Sequence, residues 1–123
     1  QWDMVEPLFI AEFGQLGCTG SRAKENFQLL SEKLLAGKTI EVRFRQGGEE
    51  IQPAGRRGHH SLKKLFQEEG IPPWERDRLP LLFVDNELIA VADLWVSDEF
   101  SAETGDLGFE ISWSPESQPV VSL

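Results

Sequence analysis

Cysteine is almost absent from this sequence: Cys18 is the only one in 123 residues. An internal disulfide and a Cys-x-x-Cys metal site are thereby excluded, and a reducing cytoplasm is the expected compartment. Cys18, preceded by Leu16 and Gly17, reads as a small half-buried residue rather than a reactive thiol. No apolar run approaches the length of a bilayer span, and no basic-plus-apolar leader opens the chain, so neither a membrane segment nor secretion is expected. Catalytic signatures are missing as well: there is no GxxxxGK[ST], GxSxG, HExxH or SGGxDS-type phosphate loop. Internal repeats and low-complexity blocks are also lacking. Basic residues run out early. After Arg78 there is no Lys or Arg, while nine acidic residues follow.

The 123 residues suffice for one domain, expected to span 1–123, with enough length to bury a core of its own. Four Trp, eight Phe and a 40% hydrophobic content argue for a globular chain. It opens at Gln1 without an initiator Met, which reads as a fragment or a processed chain. The net charge of −9 opposes polyanion binding if spread evenly. It is not spread evenly. No acidic residue lies between Glu50 and Glu68, where Arg56, Arg57, His59, His60, Lys63 and Lys64 all fall. A domain of this kind presents one positive patch on a negative body, which orients a polyanion as well as attracting it.

That basic stretch is built around a helix with clear ends. Ser61 is placed to accept an unpaired first-turn N–H, and Leu62, Leu65 and Phe66 form one apolar stripe. Gly70 supplies a left-handed stop, and Pro72 and Pro73 forbid continuation. Trp74 to Arg78 then forms a short charged turn. Elsewhere, Leu8–Phe13 reads as a strand, with Gly14 and Gly17 marking turns around a second extended piece. Residues 21–35 read as a helix on the spacing of Ala23, Phe27, Leu30 and Leu34, with Ser21 as cap and Gly37 as stop. Thr39–Arg45 alternates as a half-buried strand, Gln46-Gly47-Gly48 turns, and Glu49–Gln52 is expected to return as its hairpin partner. Pro80–Val84 and Glu87–Ala92 are apolar strands joined by Asp85-Asn86, covered on both faces, with Leu94–Val96 extending their sheet. Leu107–Trp113 is a last alternating strand, and 114–123 is expected to fray. The fold class is α+β, strand-rich, with one or two short helices.

Arg56 and Arg57, on a glycine-flanked loop, can fork onto phosphate oxygens. Lys63 and Lys64 sit at the positive end of the helix, where a phosphate is welcome and a cation is not. His59 and His60 can donate to phosphate or stack on a base; simple solvated loop residues are the equal alternative. Adjacent rings point apart, so a metal site there is not expected. Arg76 and Arg78 follow the kink and either reach the same side or pair with Glu75 and Asp77. Arg43 and Arg45 lie on the polar face of their strand and are weaker candidates. Trp74 reads as a plug over the helix end, with base stacking as the alternative. Trp95 and Trp113 read as core, and the acidic doublets read as solvated turns.

The ordered set VRFRQGGEE, PAGRRGHH, SLKKLFQEEGIPPWERDRLPLLF and LIAVADLWV, over residues 40–96, resembles the C-terminal region of bacterial tRNA(Ile)-lysidine synthetases (TilS). The resemblance implies a β-sandwich-like domain, similar to one in the phenylalanyl-tRNA synthetase β subunit. It implies a non-catalytic fragment that docks the acceptor stem and body of the CAU-anticodon isoleucine tRNA. Lysidine formation from cytidine, ATP and lysine, with ATP and Mg as cofactors, falls to an N-terminal domain outside these residues. The residues it carries over are Arg56, Arg57, Lys63, Lys64, Arg76 and Arg78; with His59 and His60 added from the loop reading, these make the expected RNA-binding set, with no cofactor in the fragment, no membrane partner and no DNA. The alternative is an interdomain module that packs against the enzyme's own catalytic domain without touching RNA.

Overall fold

The computed structural model describes residues 1–24 and 28–116. In order come β1 (Leu8–Ile10), β2 (Gly14–Arg22), β3 (Leu30–Ser31), α1 (Glu32–Leu35), β4 (Glu41–Arg43), β5 (Glu50–Ile51) and β6 (His60–Ser61). There follow α2 (Leu62–Glu69), α3 (Pro73–Arg76), β7 (Leu81–Val84), β8 (Glu87–Val91), β9 (Trp95–Val96), a 3-10 turn over Asp98–Phe100 and β10 (Leu107–Pro115). The strands make one sheet in the order β1-β2-β10-β3, a second in the order β4-β7-β8-β9, and a small ladder of β5 with β6. The domain is α+β and strand-rich.

The apolar strands β7 and β8 explain the layering. Alternate side chains of a strand point to opposite faces. Leu82, Val84, Ile89 and Ala90 enter a core shared with Leu16 of β2, Leu30 of β3 and Ile111 of β10. Leu81, Phe83, Leu88 and Val91 enter a second core with Ile51, Leu62, Leu65, Phe66 and Trp95. The second sheet is therefore a central layer, with the first sheet on one face and α2 on the other, and it is apolar on both. A register shift opposite Leu82 and Phe83 puts Ile89 and Ala90 on the same side. Asp85 and Asn86, with φ of 50° and 66°, close the hairpin in the left-handed conformation those residues tolerate.

Several expectations are corrected. Residues 21–35 are not one helix: β2 runs to Arg22 because β10 pairs with it along its whole length, from Leu107 opposite Arg22 to Pro115 opposite Gly14. Among the described residues of this stretch only Glu32–Leu35 is helical, and its cap is Ser31, whose hydroxyl accepts the Leu34 N–H at 3.3 Å. Phe27 lies outside the described residues, as do positions 117–123 of the expected frayed tail, whereas Ser114 and Pro115 continue β10. Gly17 is mid-strand, not a turn. Glu49–Gln52 does not return onto the preceding strand: β4 pairs with β7, and β5 pairs with β6. Leu107 begins β10 46% exposed, outside the apolar row. Cys18 is half-buried in β2, and burial pushes its thiol up to about 11, so it stays protonated at neutral pH.

Candidate nucleic-acid interface

The basic loop is held at both ends. Ile51 opposite His60 and Glu50 opposite Ser61 form the ladder that closes it. Pro53 bridges Ser97, the Ala54 amide donates to Val96 O at 2.8 Å, and the Asp98 amide donates to Gln52 O at 2.8 Å. Inside, the Arg56 amide donates to Pro53 O at 3.0 Å and the Gln52 side-chain amide donates to Arg56 O at 3.1 Å. His60 Nε2 lies 3.0 Å from Arg57 O. A cationic loop tied to the central sheet in this way needs little ordering on binding, which lowers the entropic cost of recognition.

Helix α2 follows at once. The Ser61 hydroxyl accepts the Lys64 N–H at 3.2 Å, as the cap reading expects. Gly70 ends the helix at φ 71°, and the Ile71 N–H donates to Phe66 O at 2.9 Å. The Leu62 amide donates to Glu49 O at 3.0 Å. Two of the first three helical amides are thus occupied, so the helix end offers an incoming phosphate side-chain charge more than backbone donors. Leu62, Leu65 and Phe66 face the core, which turns Lys63 and Lys64 outward.

Arg56, His60 and Lys64 gather around one carboxylate. Glu68 accepts from Arg56 Nη1 at 3.1 Å, and that bond, aided by the charges of Arg56, Lys64 and His60, holds Glu68 below the usual carboxylate range. Arg57, Lys63 and Lys64 are exposed and join no ion pair among the described residues. His59 is exposed at the loop's end, close enough to Glu87 for its charge to be felt there.

Arg76 and Arg78 are placed differently. Arg76 Nε donates to Ile71 O at 2.7 Å and its guanidinium lies 5.9 Å from the Phe66 ring centre. Arg78 donates to Glu12 O and lies 4.8 Å from the Phe13 ring centre. Both are half-buried and tied to the far end of α2 and to the β1–β2 turn, so they do not extend the loop's patch. Arg45 lies 3.8 Å from Asp77 and 5.7 Å from the Phe66 ring centre, and Arg43 pairs with Glu41 and donates to Asn86 Oδ1 at 2.7 Å. Trp74 is no plug: it is 74% exposed on the one-turn α3. Its neighbour Pro73 marks the helix start but carries no information on which side the ring faces, so no sequence signal reveals this. Trp95 is core as expected, while Trp113 is only partly buried.

The acidic edge of the patch carries a testable feature. Glu87, at the start of β8, is hydrogen-bonded to Glu99, and that bond, with burial and the Glu99 charge, raises its carboxyl above the ordinary range. A raised folded-state value means stability that is whole at low pH and is lost as pH climbs through the raised value. Glu87→Gln keeps a neutral partner for Glu99. The variant's Tm is expected to exceed the parent's at neutral pH, with the gap closing as pH falls to the ordinary carboxylate value of 4.5. A gap that stays constant with pH, read by thermal melts in parallel buffers, contradicts it.

Comparison with known proteins bears on the assignment. A family model described as the TilS substrate C-terminal domain matches residues 40–113. The chain is 46% identical over 115 residues to a tRNA(Ile)-lysidine synthase of Methylococcus capsulatus, covering 93% of this chain and 25% of that protein. It is 51% identical over 80 residues to a tRNA(Ile)-lysidine synthase of Coxiella burnetii, covering 65% of this chain and 17% of that one. A solved structure described as the crystal structure of the TILS C-terminal domain superposes with a TM-score of 0.70 at 19% identity, over 92% of each chain. The chain thus spans a quarter or less of the length of these curated relatives.

Proposed function

Because the chain belongs to the TilS substrate C-terminal domain family, we propose that it is a non-catalytic tRNA-docking domain of a tRNA(Ile)-lysidine synthetase. Its ligand in this reading is the acceptor stem and body of the isoleucine tRNA with a CAU anticodon. The observation that carries the reading is the outward set of Arg57, Lys63 and Lys64, without ion-pair partners among the described residues, on a clamped loop and helix start. His59, His60 and Arg56 flank them; Arg76 and Arg78 serve the fold first. An A-form stem hides its base edges in a deep groove, so it is held by shape and phosphate contacts, which such a set supplies. The acidic remainder of the domain repels the same polyanion and restricts contact to this face.

Chemistry is assigned elsewhere. Residues 1–123 contain no SGGxDS-type loop, so ATP, magnesium and lysine belong in this reading to a catalytic domain beyond them, in a cytoplasmic enzyme. This domain's contribution is to raise the local concentration of tRNA at that domain through linked binding. The test is amide-shift mapping of the 123-residue chain with an acceptor-stem hairpin. Shifts centred on residues 55–64 are expected. Shifts centred on Trp74 and β10, or none at all, contradict the reading and favour interdomain packing.

A further inference from the structure

A second surface lies away from the basic loop. A cleft of about 750 Å³ is lined by Phe13, Ile71, Trp74, Leu94 and Trp113, among others. Trp74 stands at its edge largely in solvent, an exposure unusual for so large an apolar side chain. The Trp113 ring is seated against Gly14, where any Cβ would come within 2.7 Å of it, so this wall of the cleft is fixed. A second cavity shares Asp93 and Leu94 with the first and continues along β10 past Glu110, Ile111 and Ser112. Along the same stretch β10 has β2 on one edge, but its other edge pairs with β3 only at Gly108 and Phe109 among the described residues. Gln28, two residues before β3, joins Ile111 and Ser112 in lining this continuation.

Charge selects the occupant. Glu75, Asp93 and Glu116 line the cleft, and Glu110 lines its continuation. The one cation in the cleft lining, Arg78, is committed to Glu12 O and the Phe13 ring. A nucleic-acid strand, with its phosphates, is repelled by such a rim despite the available stacking surface. We propose that this surface docks an extended polypeptide segment whose apolar side chains alternate with Lys or Arg. Its apolar side chains enter the cleft against Trp74 and Trp113, and its cations meet the rim carboxylates. The aromatic cleft gives the affinity, and the acidic rim gives the selection.

The probes are two short peptides, one alternating lysine with leucine and one alternating glutamate with leucine, titrated into the 123-residue chain while tryptophan indole N–H signals are followed. The lysine peptide is expected to shift the Trp74 and Trp113 signals saturably, and the glutamate peptide to leave them in place. Trp74→Ala, at an exposed position that the fold does not need, is expected to weaken binding about tenfold or more. Asp93→Asn is expected to weaken it less and to flatten its salt dependence. Combined replacement of Arg57, Lys63 and Lys64 is expected to leave peptide binding intact, which separates this surface from the tRNA face. Equal response to both peptides, no saturable response, or displacement of the Trp74 signal by oligouridylate instead would overturn the proposal.

Discussion

Replacing Arg57, Lys63 and Lys64 together by alanine is expected to weaken binding of the chain to a tRNA acceptor-stem hairpin by about 100-fold, at about 1 kcal/mol for each exposed contact. The slope of log affinity against log salt is expected to fall by about three, since each lost phosphate contact leaves about one counterion unreleased. All three side chains are exposed and outside any ion pair among the described residues, so the melting temperature should hardly change. Arg56 provides an internal control. Its guanidinium already meets Glu68, so Arg56→Ala alone is expected to cost less than Arg57→Ala. Glu68→Gln frees Arg56 and removes a negative charge from the patch, and is expected to tighten binding. Anisotropy titrations at matched salt measure all of these, and a triple variant that binds like the parent contradicts the placement of the site.

The largest effect on stability is expected at Phe66. It is fully buried on α2, its ring centre lies 5.7 Å from that of Trp95, and the Arg45 and Arg76 guanidinium groups lie over it at 5.7 and 5.9 Å. Phe66→Ala removes the ring that joins the helix layer to the central sheet and leaves a cavity, at a cost of about 3–5 kcal/mol. Against a typical total of about 5–15 kcal/mol, that brings the domain close to its threshold. Phe66→Leu keeps most of the volume and is expected to cost less than about 1.5 kcal/mol. Urea unfolding followed by tryptophan fluorescence should show a lower midpoint at unchanged slope. A loss under about 1 kcal/mol for the alanine variant would mean that α2 is not the packed third layer.

Where the governing forces are local, the sequence was legible. The Ser61 cap, the Gly70 stop and the Asp85-Asn86 turn each rest on the chemistry of one or two residues. The unbroken apolar runs of β7 and β8 reported cover on both faces, which the two cores confirm. What could not be read was competition between distant segments. Gln46-Gly47-Gly48 suits a hairpin, but β4 pairs instead with the fully buried β7, forty residues of chain being a small entropic penalty against that burial. The spacing of Ala23, Leu30 and Leu34 fits a helix, yet Leu107–Pro115 offers a nine-residue partner that draws residues up to Arg22 into a sheet. Among the candidate site residues, those on the loop and the helix start came out together because one short stretch carries them. Arg76 and Arg78 were separated from them by partners, Ile71 O and Glu12 O, that no local pattern announces.

The central claim is that this domain grips a tRNA acceptor stem through a localised cationic face. Fluorescence anisotropy of the chain with an isoleucine-tRNA acceptor-stem hairpin and the matching anticodon hairpin, at about 50 mM and about 200 mM salt, tests it most directly. Preferential binding of the acceptor hairpin, falling steeply with salt because several counterions are released on binding, is the expected result. Binding of neither hairpin at the lower salt, or equal binding of both with no salt dependence, would contradict it and leave the domain as a partner for protein surfaces alone.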